Sequence, residues 1–300
     1  MSISILHNIS IFKDAVKHLR FSFSFFLLPV YLFALSQVTD IDVIAALTTF
    51  LALHFLVYPS SNGYNSYMDQ DEGSIGGLKK PPQAPDILGP MTLIMDIIGI
   101  LLVLLAHPQA AVVTLAYIMA SRAYSSRKFR LKRFPITGYL TVVTFQGGAV
   151  FLISFMVGSQ TGLAQALSSL QVWLGIITSI FLIGAAFPLT QVYQHEQDRN
   201  DGVKTLSRML GHRGTFIFSI LLFFLATLSF LGLQLSYGDL IHFLVFPIFL
   251  LPSIIILLNW MRKVWQNTDY ANYQNAMLMT KTGSLCLNGY FLFLLIINLI

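Results

Sequence analysis

Polar and apolar positions alternate in this chain on the scale of whole segments. Nine apolar runs are long enough, or nearly so, to cross a hydrocarbon layer of about 30 Å as helices. They fall at residues 21–36, 41–58, 87–106, 109–121, 138–157, 170–188, 215–233, 240–261 and 283–300. The fourth is the shortest and least apolar. The pattern predicts an all-α, polytopic membrane protein, a bundle of nine transmembrane helices. It forms a single domain over residues 1–300, with four-helix pseudo-repeats at 21–135 and 138–263 followed by a last helix at 283–300.

Composition supports a bilayer as the solvent. Of the 300 residues, 55% are hydrophobic and only 10% charged, more apolar surface than a water-soluble domain can hide. The net charge of +5 would suggest nucleic acid in a soluble protein. Here the distribution of charge decides, and no nucleic-acid partner is expected. With nine spans, all 18 Lys and Arg residues fall on one side. They lie before the first span, between the second and third, after the fourth and sixth, and between the eighth and ninth. The positive-inside rule then places the N-terminus and these loops in the cytoplasm, and the protein in the cell's inner membrane. No small-residue cleavage site precedes the first span, so no cleaved signal peptide is expected. The single cysteine, Cys286, excludes an intrachain disulfide. Oligomeric state leaves no trace in the pattern.

Against this background, six of the 13 acids crowd into two short stretches. Asn65, Asp69, Asp71 and Glu72 follow the second span. Gln191, Gln194, Asp198 and Asp201 follow the sixth, with Glu196 among them. Asn65 and Asp69, four residues apart, share one face of a continuing helix. The spacings of three, four and three from Gln191 to Asp201 build one helical stripe of oxygen-bearing side chains, with Pro188 placed to bend its approach. Four spans separate the clusters, so both face the same side. Paired oxygen donors suit Mg²⁺, which takes one or two carboxylates and leaves other positions to water and substrate phosphate. Lys79, Arg130, Lys132, Lys204 and Arg208 are available to neutralise phosphate oxygens. The plainer reading is that these loops are simply solvated, and a transporter or channel with an acidic entrance is the competing class. A transporter would place acids within the spans, where only Asp96 lies deep.

These residues resemble the UbiA superfamily of intramembrane prenyltransferases. Asn65, Asp69 and the residues around them match its N-x-x-x-D-x-x-x-D motif, with Gly73 where the last Asp usually stands. Asp198, Gly202, Lys204, Thr205 and Leu206 match its second motif, with Gln194 replacing the first Asp. The run Ala123–Lys132 is similar to the family's segment after the fourth helix, and Arg20 and Pro29 fit its pattern. The resemblance implies a helical bundle around a cavity that opens to the cytoplasmic side. It also implies Mg²⁺ and a prenyl diphosphate as ligands, with transfer of the prenyl chain to a lipophilic acceptor, aromatic in quinone or related lipid biosynthesis. Asp69 and Asp198 would be the catalytic carboxylates, with Asn65, Asp71, Glu72 and Gln194 completing the metal shell. Lys79, Arg130, Lys132, Lys204 and Arg208 would bind the diphosphate. The two missing carboxylates leave a degenerate, lipid-binding member as an alternative.

Other polar residues carry double readings. Asp96 is either a cavity-lining acid or a hydrogen-bonded residue facing the bundle. Gln146, beside Gly147 and Gly148, marks either close helix packing or the cavity wall. Tyr124 and Tyr193 either shield a carbocation or belong to the interfacial aromatic belt. His54 and His242 read as packing residues, and His195 and His212 as solvated imidazoles.

Overall fold

The computed structural model describes residues 2–299 and is built of helices; no strand occurs among the described residues. An N-terminal helix α1 (Ser2–Leu19) leads into a broken first span, α2 (Phe21–Ser24) and α3 (Leu28–Leu35). The second span starts as α4 (Val43–Leu51), passes through a π-helical stretch (Ala52–Val57) and continues as α5 (Tyr58–Asp69). Next come α6 (Leu88–Ala106) and α7 (Pro108–Ser125), then α8 (Pro135–Val142), a second π-helical stretch (Val143–Ala149) and α9 (Val150–Ser159). A short α10 (Leu163–Leu167) precedes α11 (Leu170–Ala186), and α12 (His195–Asn200) follows it. The long helices α13 (Leu206–Tyr237), α14 (Leu240–Gln266) and α15 (Tyr273–Leu299) complete the chain.

Helix starts follow local chemistry. Asp42, His107, Ser169, Thr205 and Asp239 each accept a backbone N–H in the first turn of α4, α7, α11, α13 and α14. Side-chain acceptors of this kind satisfy orphan N–H groups at helix ends. Pro108 and Pro135 occupy first-turn positions, where no N–H is needed. The break between α2 and α3 exposes the Phe25 carbonyl, which Ser284 and Asn288 of α15 satisfy at 3.0 and 3.3 Å. Inside α13, Gly211 adopts φ 70°, and the helix kinks there because only glycine takes that conformation without penalty.

Eight helices among the described residues are long and apolar enough to cross a membrane. The expected fourth span, α7, is fully helical over 18 residues but is not one of the eight. Its sequence explains this: it carries Arg122 and several small or hydroxylated residues that pack inward. Lipid-facing character is clearest on α14, where Ile241, Leu244, Ile248, Leu251 and Ile255 are exposed at three- to four-residue intervals. Most inward faces meet in a main core, in which Phe33 stacks on Phe291 at 4.6 Å and Phe230 contacts Phe33, Phe246 and Tyr290, tying together α3, α13, α14 and α15. Two smaller clusters lie apart from it.

Candidate active site

The two acid-rich stretches meet at the mouth of one cavity of about 360 Å³. Asn65, Asp69 and Asp71 line it from one side, and Gln191, Gln194, Gln197, Asp198 and Asp201 from the other. Its body is apolar, walled by Phe23, Val30, Phe145, Phe223, Leu250 and Leu257, among others.

The first stretch is ordered by α5, which runs on to Asp69, so Asn65 and Asp69 do share a helical face. Asn65 Nδ2 donates to Asp69 Oδ2 at 2.7 Å and to Ser125 Oγ of α7 at 3.1 Å. Lys132 forms an ion pair with the same Asp69 oxygen, and both side chains are largely buried. Gln70 then takes φ 53° and ends the helix, which turns Asp71 back over the cavity.

The second stretch is not the single helical stripe its spacing predicts. Pro188 starts a 3₁₀ turn over Pro188–Gln191, the chain then turns, and α12 begins at His195. Proline cannot continue the α11 hydrogen-bond ladder, so the stripe is cut in two. Its members still share the cavity because the turn redirects the chain across the mouth. Asp198 Oδ2 accepts from Thr205 Oγ1 at 2.9 Å. Arg208 donates to the Val203 and Asp198 carbonyls at 2.6 and 3.3 Å, so it braces this loop and does not line the cavity.

Two glutamines join the loops. Gln197 Nε2 donates to Asp71 Oδ1 at 2.7 Å, and Gln194 Nε2 to the Ser74 carbonyl at 3.2 Å. A Cβ on Gly73 would lie 2.6 Å from Gln197 Oε1. The glycine that replaces an expected carboxylate thus makes room for the glutamine bridge. Gly73→Asp is expected to push Gln197 off Asp71 and to tighten Mg²⁺ binding by roughly tenfold, read by calorimetric titration with a prenyl diphosphate analogue present.

Of the other expected residues, Lys132, Tyr124, Tyr193 and Gln146 line the cavity. Glu72, Lys79 and Lys204 are exposed and lie outside its lining, as does the half-buried Arg130. Asp96 does not reach the cavity: Arg122 takes its carboxylate, with Nε–Oδ2 at 2.9 Å, and also donates to Thr92 and Ser60 at 3.1 Å each. His195 and His212 are not free solvated rings but stack on each other at 4.4 Å. Burial, with His212 and Arg208 nearby, pushes His195 down to about 4, so it is neutral at physiological pH. Arg20 was noted only for its place in the pattern. It is buried beside the first motif, donating to the Asn62 and Gly76 carbonyls at 2.9 and 3.3 Å. Gln197 carried no signal in the sequence.

Burial and the neighbouring Asp69 and Asp201 carboxylates push Asp71 up to about 6, against Lys132 and Arg20. Burial also pushes Asp198 up to about 6, with Asp201 adding to it and Thr205, Lys132 and Arg208 opposing it. Crowded acids that resist ionisation favour a divalent cation among them. Among the described residues, no three Asp, Glu, His or Cys side chains converge tightly enough to hold a metal alone. That fits an ion completed by substrate oxygens, the usual habit of Mg²⁺. Both carboxyls hold their protons to higher pH in the folded chain than in the unfolded one. The metal-free protein is therefore expected to gain stability as pH falls through 6. Mg²⁺ held by these carboxyls would have to displace those protons over the same interval, so its affinity is then expected to fall by about tenfold or more from pH 7 to pH 5. Titration calorimetry at the two pH values, in the presence of a prenyl diphosphate analogue, reads this directly.

The comparisons bear on the family and the fold. A family model described as the UbiA prenyltransferase family matches residues 23–282. Among solved structures, an apo UbiA homolog from Aeropyrum pernix K1 aligns with a TM-score of 0.69 at 14% identity, covering 93% of this chain and 98% of that one. A UbiA homolog from Archaeoglobus fulgidus bound to GPP and Mg²⁺ gives 0.63 at 16% identity, covering 94% and 99%. A structure of digeranylgeranylglyceryl phosphate synthase gives 0.60 at 17%, covering 97% and 99%. At these identities the structures speak for the fold alone. No curated protein matches by sequence.

Proposed function

The chain belongs to the UbiA prenyltransferase family, and from that premise we propose that it transfers an isoprenoid chain from its diphosphate to a lipophilic, aromatic acceptor of quinone or related lipid biosynthesis. The observation that carries this reading is the meeting of both acid-rich stretches at the mouth of one apolar-walled cavity. Such a space holds a prenyl tail inside and a charged head at the rim.

Asn65, Asp69, Asp71, Gln194 and Asp198 would hold Mg²⁺ there together with diphosphate oxygens. When bound, the metal acts as a Lewis acid on the leaving group. The remaining work falls to the chain itself. Lys132, held by Asp69, and Arg20 offset the charge that grows on the diphosphate as its bond to the allylic carbon breaks and the electron pair leaves with oxygen. The apolar walls exclude water, so the allylic cation is captured by the acceptor and not hydrolysed. Tyr124 and Tyr193 line the cavity and would shield such a cation with their π faces. An aromatic acceptor then forms the new carbon–carbon bond, and its ring proton passes to the released diphosphate.

Counting α7 as a ninth crossing returns every basic loop to the cytoplasmic side, which supports a cavity open to the cytoplasm and an inner-membrane location. The test of function is incubation of protein-bearing membranes with radiolabelled prenyl diphosphates, Mg²⁺ and a panel of acceptors. Mg²⁺-dependent diphosphate release with a prenylated product is expected. Its absence with every acceptor would favour the degenerate alternative.

A further inference from the structure

Charge is distributed unevenly over the cavity wall. Arg20, Lys132, Asp69, Asp71, Asp198 and Asp201 are the charged residues of the lining, and all sit at the loop end, in contact or close enough to shift one another's ionisation. Deeper in, the hydrogen-bonding groups are neutral. Gln146 lies about three turns into the fifth span, on a π-helical stretch. A Cβ on the next residue, Gly147, would lie 2.7 Å from the Ser179 carbonyl oxygen. That close seat against α11 leaves Gln146 on the cavity side. The Tyr117 hydroxyl stands beside Gln146 and Ser61. Behind this wall the half-buried Arg122 is paired with Asp96 and also donates to Thr92 and Ser60, and it does not line the cavity.

A further lining group lacks a partner. Ser219 Oγ is buried without a hydrogen-bond partner, in a residue that is 1% exposed. A buried polar atom left unpaired costs about 1–3 kcal/mol, and a helical serine ordinarily relieves this by bonding the preceding turn. Ser219 does not. Ser219 Oγ and the Gln146 amide are groups that an uncharged hydrogen-bonding ligand would satisfy. A carboxylate placed among them would be desolvated with no counter-charge.

We propose that the acceptor is recognised by this neutral set, and that it is an uncharged lipophilic compound bearing a hydroxyl, a phenol or quinol, and not an aromatic carboxylate. The proposal rests on the prenyl-transfer reading and narrows its substrate class. Gln146 and Ser219 are its specificity-determining residues.

The test is direct binding. Protein in detergent is loaded with Mg²⁺ and unreactive geranyl thiodiphosphate, and the affinities of radiolabelled 1-naphthol and 1-naphthoate are compared. Naphthol is expected to bind at least about tenfold more tightly. Gln146→Leu should erase most of that preference, with the two probes compared at the variant's own thiodiphosphate saturation, measured in the loading step. Ser219→Ala breaks no internal hydrogen bond, so it should fold as the parent does and weaken naphthol binding by about threefold or more. Equal or tighter binding of naphthoate, no binding of either probe, or an unchanged preference in both variants overturns the proposal. Failure of the thiodiphosphate itself to bind would instead reject prenyl transfer, a separate outcome read in the loading step.

Discussion

Asp69→Asn is expected to lower kcat/KM for prenyl transfer by about 10²–10³-fold with little change in expression. Asp69 Oδ2 is where three roles converge. It accepts from Asn65 at 2.7 Å, pairs with Lys132, and faces the cavity mouth. On the proposed reading, neutralising it removes a metal donor and frees Lys132, its ion-pair partner, to swing off the line of the diphosphate. Asp198→Asn should act similarly, since Thr205 aims that carboxylate from the opposite side. Because both serve one bound group, the double variant should lose far less than the product of the single losses. Steady-state kinetics with saturating Mg²⁺ distinguishes the cases. Full activity in both single variants would remove these residues from the site.

The second large effect is on stability. Arg122→Leu strips Asp96 of its partner inside the bundle and leaves Thr92 and Ser60 without a shared donor. It also removes the guanidinium that lies 4.0 Å over the Tyr64 ring. Breaking one half of a buried pair typically costs about 3–5 kcal/mol, and thermal unfolding in detergent should show a correspondingly lowered midpoint. Arg122→Leu with Asp96→Leu should recover much of that loss, because the unpaired charge disappears. If the double variant is no more stable than the single one, the pair is not the source of the effect.

The apolar spans could be read from composition because every helix facing lipid must be apolar along most of its length. α7 is the exception for a physical reason: Arg122 and the inward-packed Thr114 and Ser125 lower its hydropathy below that of the other long helices. Asn65 and Asp69 were legible because a continuing α-helix makes i and i+4 neighbours. The stripe from Gln191 to Asp201 was misread as one helix because periodicity does not report a 3₁₀ break after Pro188. Asp96 was found as an oddity, but its partner lies 26 residues away, a distance along the chain that only helix packing closes.

By itself, then, the sequence determined what depends on local spacing and on partition between water and lipid: the apolar helices and the two donor clusters. The tertiary structure decided what depends on which helices touch. It joined Gln197 to Asp71 across 126 residues of chain and made Gly73 the space for that bridge. It turned Asp96 away from the cavity to Arg122, and it left Ser219 unpartnered in the cavity wall. Each is a contact between residues far apart in the chain, and side-chain direction at such contacts is set by packing, on which local periodicity is silent.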